Sequence, residues 1–318
     1  MRIVFIGSGE LGVESLRWLG RSGHQVIEVV TPPARPAGRG RKLHPTVIAE
    51  EAIRLQLPLQ EVEDINNSEF VEHIRDLRPE IILVIAFGQK IGAGLLNLPG
   101  CRVINLHGSL LPKYRGAAPI NWAVINGEKQ TGLTVIEINE IWDGGNILGK
   151  LATDIKPGER AGELYQRLAL LGPQLIEEVL VKILQGTDRA LVQDDSQASR
   201  APKLRKSDAG LKWNQPAEKI CNFIHGMWPW PGAFCQLQQE GKKIERITLA
   251  QAQVITQAGS EKSDGADKPG ILTEDMNIIC GEGRVALLQV KPENGKLMDF
   301  SAFVNGRRLK TGVQFLDG

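Results

Sequence analysis

The chain lacks any apolar run approaching the roughly 18–20 residues that a membrane-spanning helix needs. No membrane partner is expected. The opening MRIVFIGSGELG has one basic side chain and a short apolar run ending in glycines. It reads as a buried first strand rather than a secretory leader, with a cytoplasmic address as the default. Cysteine is scarce. The four present, Cys101, Cys221, Cys235 and Cys280, form no CxxC pair. That argues against a disulfide scaffold or a zinc site and for small buried apolar residues. The five histidines form no HExxH or HxH grouping, so nothing asks for a metal. An excess of charge of one sign is also missing, since the net charge is +1. Residues 1–188 hold 20 Lys+Arg against 22 Asp+Glu, net −2, and residues 189–318 hold 18 against 15, net +3. This mild polarity is compatible with a polyanion touching the second half.

What is present is a globular mixture, 42% hydrophobic and 24% charged over 318 residues, enough for about two domains. The first half alternates strand and helix signals. Strands are expected at Arg2–Gly7, Gln25–Thr31, Ile81–Ala86, Cys101–His107 and Thr131–Glu137. Helices are expected over Leu11–Gly20, Thr46–Leu55, Ser68–Leu77 (with Asn67 as N-cap) and Ala161–Gln185. Strands separated by helices predict a mostly parallel sheet covered on both faces. The segment Gln193–Lys206 is polar and aperiodic and reads as part of a linker. Beyond it come a helix capped by Asn214 and ending about Met227, then short β-like segments. The tract Thr256–Gly270 reads as a mobile surface loop. The expected division is 1–188 α/β domain, 189–206 linker and 207–318 smaller β-rich domain.

Gly7-Ser-Gly-Glu-Leu-Gly12 follows a strand and opens a helix, so it matches the GxGxxG pattern of dinucleotide-binding units. Such units also place an acidic residue at the end of the second strand. Here that strand ends Val29-Val30-Thr31-Pro32-Pro33, with the nearby Glu28 inside it. A tight turn lining a substrate cleft is the better reading.

Asn105 and His107 lie two apart, so in extended chain they share one face. Taken alone, such a pair could merely satisfy a turn. Asp143 follows a second strand and precedes two glycines that let its loop fold tightly. An Asn, a His and an Asp suit attack by an amine on a carbonyl. Two of them can donate hydrogen bonds to a developing oxyanion, and the carboxylate can help move a proton. No Ser or Cys is obviously placed as a nucleophile, which favours direct transfer between two bound substrates.

The stretch NLHGSLLPKYRGAAPI at 105–120, with the later Asp-x-Gly loop, resembles the active-site signature of the folate-dependent formyltransferases. The basic segment Thr31–Leu43, the run Trp228–Phe234 and Phe303–Arg308 are similar to the branch acting on initiator methionyl-tRNA, so the resemblance covers essentially the whole chain. It implies a Rossmann-like formyltransferase domain followed by an OB-fold-like domain. It implies Asn105, His107 and Asp143 as catalytic residues. It implies a 10-formyltetrahydrofolate site at Phe87, Gly88, Gln89, Lys90 and Ile91 and at Ser109, Leu110, Leu111 and Pro112. It also implies tRNA contacts from Arg35, Arg39, Arg41 and Lys42. A monomer is expected. A formyltransferase acting on a small nucleotide or sugar amine is the alternative. Departures from the family pattern are Gly7-Ser-Gly-Glu10 in the first loop, Ala34 in the basic loop and Trp142-Asp-Gly-Gly-Asn146 in the catalytic loop. Trp228 and Trp230, beside Pro229, are expected in the core.

Overall fold

A computed structural model describes residues 1–37, 42–239, 241, 243–255 and 268–318. In chain order the regular elements begin with β1 (Arg2–Gly7), α1 (Val13–Leu19), β2 (Gln25–Thr31), β3 (Arg35–Ala37), β4 (Lys42–His44), α2 (Val47–Arg54), β5 (Leu59–Glu61) and α3 (Ser68–Leu77). Then follow β6 (Ile81–Ile85), α4 (Ala93–Leu96), β7 (Arg102–His107), α5 (Pro119–Ile125), β8 (Gln130–Glu137), β9 (Ile147–Asp154) and α6 (Ala161–Gln185). The remainder is α7 (Ala217–Met227), β10 (Phe234–Gln238), β11 (Glu245–Ile255), β12 (Ile278–Ile279), β13 (Arg284–Pro292), β14 (Met298–Asp299), α8 (Phe300–Arg307) and β15 (Gln314–Leu316). No helix among the described residues is long and apolar enough to cross a membrane.

The chain divides into two compact units that interleave in sequence. Unit 1 takes 1–119, 130–154 and 165–202, and unit 2 takes 120–129, 155–164 and 203–318. In unit 1 a seven-stranded sheet runs β5-β2-β1-β6-β7-β8-β9. The first five strands are parallel; β8 and β9 are antiparallel. The unbroken apolar runs of β1 and β6 are fully buried, as strands covered on both faces must be. Helix starts follow the capping residues: Thr46 Oγ1 accepts from Ala49 N, and Asn67 Oδ1 accepts from Phe70 N. Glu51 of α2 is buried beneath Arg17 and Arg54, and these guanidiniums, Arg54 first, hold its carboxyl down at about 2.

Unit 2 is an antiparallel sheet in the order β12-β13-β11-β10-β15, with β14 on β13. Ile271 bridges Gln314 of β15 and Leu272 bridges Ile278 of β12, so this short segment links the two ends into an OB-like barrel. Trp213, 1% exposed, packs edge-on against Phe315 in its core. The expectation for the other two tryptophans needs correcting. Trp228 is half-buried, with the Arg160 guanidinium 5.8 Å from its ring centre, and Trp230 is 50% exposed. The reason is local: α7 ends at Met227, Trp228 turns to an extended conformation, and the chain leaves the buried helix face. The same helix begins at Ala217 with Pro216 as its N-cap, so Asn214 stands two residues before the cap and does not cap it.

Three of the four cysteines are buried and Cys101 is half-buried, all as free thiols. Most of the tract 256–270 lies outside the described residues.

Candidate active site

β7 brings Asn105 and His107 to one face, as the two-residue period requires. His107 is buried, and its Nε2 lies 2.9 Å from the Tyr114 carbonyl oxygen. A carbonyl only accepts, so Nε2 carries a proton and Nδ1 is the nitrogen left to meet a substrate. Tyr114 adopts φ +64, a left-handed conformation that turns its carbonyl onto the ring. Asn105 is half-buried, and among the described residues its side-chain amide has no hydrogen-bond partner.

Asp143 arrives by an indirect route. Because β8 runs against β7, the loop after it opens beside Val103, whose carbonyl accepts from Ile138 N at 2.8 Å. The loop then folds back along β7 until Asp143 Oδ1 stands 3.7 Å from His107 Nδ1. That separation is too long for a hydrogen bond but close for an ion pair. Its other oxygen, Oδ2, accepts from Gly116 N at 2.8 Å. Two glycines make the fit possible. A Cβ on Gly116, at φ +127, would meet the Ala201 oxygen at 2.5 Å, and one on Gly145 would meet the Glu137 oxygen at 1.6 Å. Asp143 itself sits at φ +51, a strained position for a residue with a side chain. His107 and Asp143 are thus brought together, with Asn105 on the same face of β7 as His107.

The wall residues separate into side chains and backbone. Phe87 and Ile91 are buried in the hydrophobic core, so only their backbone can face a ligand. Gln89 is spent on the Glu63 carbonyl and the Ile65 amide, and the Lys90 carbonyl accepts from Asn66 Nδ2. Gly88 is exposed at φ +83 with open space around it, and the neighbouring Ala86 is exposed at φ +49. Ser109 and Leu111 are wholly buried. Thr134 Oγ1 pins this turn, donating to Ser109 O at 2.6 Å and accepting from Leu111 N at 3.1 Å. Ser109 Oγ donates to the Lys113 carbonyl at 2.7 Å. Leu110 and Pro112 keep partial exposure. Beside Asp143, Ile141 and Trp142 are 58% and 49% exposed, an apolar surface at the rim.

The glycine loop is filled by protein. Leu11 N donates to the Tyr165 hydroxyl at 3.1 Å, and a Cβ on Gly12 would meet the Phe5 ring at 3.0 Å. Glu28 is held by His73 Nε2 at 2.7 Å. Neither serves a dinucleotide. Arg35 and Lys42 lie on the β3–β4 hairpin, with Lys42 opposite Ala37, and both are exposed. Arg39 and Arg41 fall outside the described residues. Among the described residues no cluster of three or more His, Cys, Asp or Glu could hold a metal.

Sequence reasoning missed what holds the trio. The Tyr114 carbonyl and Gly116 amide are backbone groups without a residue-type signal. Gln193 falls in the polar, aperiodic segment expected to be a linker, yet its Nε2 donates to the carbonyls of Asp143 and Gly145 at 2.8 and 2.7 Å.

Among the described residues, an Asn amide with no hydrogen-bond partner, a histidine with one nitrogen fixed and a carboxylate beside the other stand at the end of an α/β sheet, an arrangement suited to amine attack on a carbonyl. Residues 1–180 match the formyl transferase family and residues 203–308 its C-terminal domain. The chain belongs to the formyl transferase family and is a transferase. It is 40% identical to the methionyl-tRNA formyltransferase of Heliobacterium modesticaldum, over 99% of this chain and all of that one. It is 38% identical to that of Moorella thermoacetica, over 98% of each. Among solved structures, the sugar 3N-formyl transferase WlaRD, crystallised with dTDP and 5-N-formyl-THF, superposes with TM-score 0.63 at 16% identity, over 90% of this chain and 97% of that one. HypX from Aquifex aeolicus in complex with tetrahydrofolic acid gives TM-score 0.62 at 17% identity. That match covers 96% of this chain, which spans 47% of HypX.

Proposed function

We infer that the chain transfers the formyl group of 10-formyltetrahydrofolate to the amino group of initiator methionyl-tRNA, giving formylmethionyl-tRNA for translation initiation. The observation carrying the chemistry is the trio, in which the Tyr114 carbonyl fixes His107 Nε2 and leaves Nδ1 beside Asp143. The acceptor rests on the full-length relatives at 38–40% identity, named for methionyl-tRNA. A sugar amine is supported only by a shared fold at 16% identity.

The residues present fit a folate. Exposed backbone at Ala86 and Gly88 offers peptide groups to a heterocycle, and Ile141 and Trp142 offer apolar surface. Backbone of Phe87–Ile91 and the turn Ser109–Pro112 form the remaining walls. When bound, the folate supplies the electrophilic formyl carbon. Asn105 and His107 Nδ1 bind the carbonyl oxygen by donated hydrogen bonds, and removing one such donor typically costs about 10²–10³ in rate. Asp143 Oδ1 holds the His107 ring charge and would receive the amine proton; as the new carbon–nitrogen bond forms, the bond from the formyl carbon to N10 would break, with N10 taking a proton and tetrahydrofolate leaving. Arg35, Arg39, Arg41 and Lys42 contact acceptor-stem phosphates, which makes binding fall steeply with salt. The enzyme works as a cytoplasmic monomer.

The test is incubation with 10-formyltetrahydrofolate and either initiator or elongator Met-tRNA, with nucleotide-sugar amines in parallel. Formyl-Met-tRNA is the expected product. Transfer only to a sugar amine would overturn the acceptor, and transfer to none would overturn the reaction.

A further inference from the structure

From residue 189 to residue 200 every side chain is exposed except one, the amide of Gln193, which is 7% exposed. A lone buried polar residue in an otherwise exposed stretch adds nothing to a hydrophobic core, so its hydrogen bonds must account for its place. Both ends of its amide are used. Nε2 donates to two carbonyls of the Asp143 turn, and Oε1 accepts from Nε and Nη2 of Arg115 at 3.1 and 2.8 Å. Arg115 Nη2 also meets Asp195 Oδ1 at 2.7 Å. The backbone of Arg115 is fixed in turn, its N donating to the Ser199 carbonyl at 2.8 Å and its O accepting from Ala201 N at 2.7 Å.

Three consecutive residues thus converge on the site. The Tyr114 carbonyl takes His107 Nε2, the Arg115 guanidinium holds Gln193, and the Gly116 amide takes Asp143 Oδ2. A loop with φ +51 at Asp143 followed by two glycines has little reason to hold one conformation unaided. We propose that Gln193, held by Arg115, is a positioning residue for the formyl transfer: a buried brace that fixes the Asp143 carboxylate against His107. This rests on the reading of Asp143 given above. Gln193 touches no substrate and acts only through the turn it ties.

The experiment compares Gln193→Glu, Gln193→Met, Asp143→Asn and the double variant Gln193→Met/Asp143→Asn in full-length enzyme. Gln193→Glu keeps an acceptor for Arg115 and loses both donors; Gln193→Met keeps the size and loses every bond. Each single Gln193 variant is expected to lower kcat about 10- to 100-fold, the cost of misplacing a catalytic group by roughly 1 Å, with KM for Met-tRNA within about twofold. The double variant is expected to be no slower than Asp143→Asn, since the brace acts through that carboxylate. A Gln193 that merely stabilises the fold gives multiplied losses and a raised KM, and that result overturns the proposal. A slow Asp143→Asn beside normal Gln193 variants overturns the brace alone. An Asp143→Asn enzyme at full rate overturns the role of Asp143 and the brace with it. Should both Gln193 variants fail to fold, Arg115→Lys carries the same comparison, because it keeps the charge and breaks the two-nitrogen grip.

Discussion

Replacing Gly145 by alanine tests whether the Asp143 loop is a preset scaffold. The added Cβ would stand 1.6 Å from the Glu137 carbonyl oxygen and 2.8 Å from its carbon. Both are backbone atoms at the neck of the loop, where Glu137 N donates to the Asn146 carbonyl at 2.9 Å. No side chain can swing aside. Restoring an ordinary contact of about 3.2 Å needs the two arms to part by about 1.6 Å. That movement breaks the neck bond and pulls the Asp143 and Gly145 carbonyls off Gln193. A shift of on the order of 1 Å at Asp143, two residues away, lowers kcat about 100-fold. The lost hydrogen bonds and strain cost about 2–4 kcal/mol of stability. KM for Met-tRNA changes little, because the β3–β4 hairpin is untouched. Single-turnover formylation with saturating folate, beside a thermal melt, gives both numbers. A folded Gly145→Ala enzyme whose rate stays within about threefold of the parent would refute the preset-loop argument.

His107→Ala is expected to lower kcat about 10²–10³-fold in enzyme that still folds, with a lowered melting temperature from the lost Tyr114 bond, read by the same formylation assay and a thermal melt. Thr134→Val removes a buried hydroxyl with two partners in the Ser109–Leu111 turn, and a urea titration should show a loss of about 2–3 kcal/mol. Glu51 has a folded-state pKa of about 2, depressed by Arg54 and Arg17, so its stabilisation is full above the ordinary carboxylate range and lost as pH falls toward about 2. After allowance for the half-exposed guanidiniums it amounts to about 1 kcal/mol, and Glu51→Gln should show that deficit in melts near pH 7 but not near pH 2. Arg39→Ala should weaken Met-tRNA binding and reduce the slope of log affinity against log salt by about one. An unchanged slope would remove that arginine from the interface.

Periodicity and capping carried the first-half elements well. Arg2–Gly7, Gln25–Thr31, Ser68–Leu77 and Ala161–Gln185 stand where the pattern put them. The hairpin β3–β4, the strand β9 and the helix α5 went unread. The first carries Pro36 in a basic run without alternation, and the others are short or begin in glycine-rich turns. At the site, the shared strand face of Asn105 and His107 and the glycine-flanked Asp143 were legible in the sequence, and Asp143 Oδ1 stands 3.7 Å from His107 Nδ1. The backbone groups of Tyr114 and Gly116 and the long-range bonds of Gln193 left no such trace, since a carbonyl looks alike at every position. The segment around Gln193 looks idle in sequence, yet its Nε2 ties the Asp143 and Gly145 carbonyls.

The interleaving of the two units imposes a schedule on the growing chain. Asn121, in the segment belonging to unit 2, donates to the Gly226 carbonyl at 2.7 Å, a partner 105 residues further along. At about 5–20 residues per second, helix α5 leaves the ribosome roughly 5–20 s before that partner exists. During that interval Ile120, Ala123 and Val124, all buried in the finished protein, have no unit 2 core to join. Nor can a single cut yield both halves intact, because the chain crosses between units five times. The enzyme is therefore finished only when its last strands arrive.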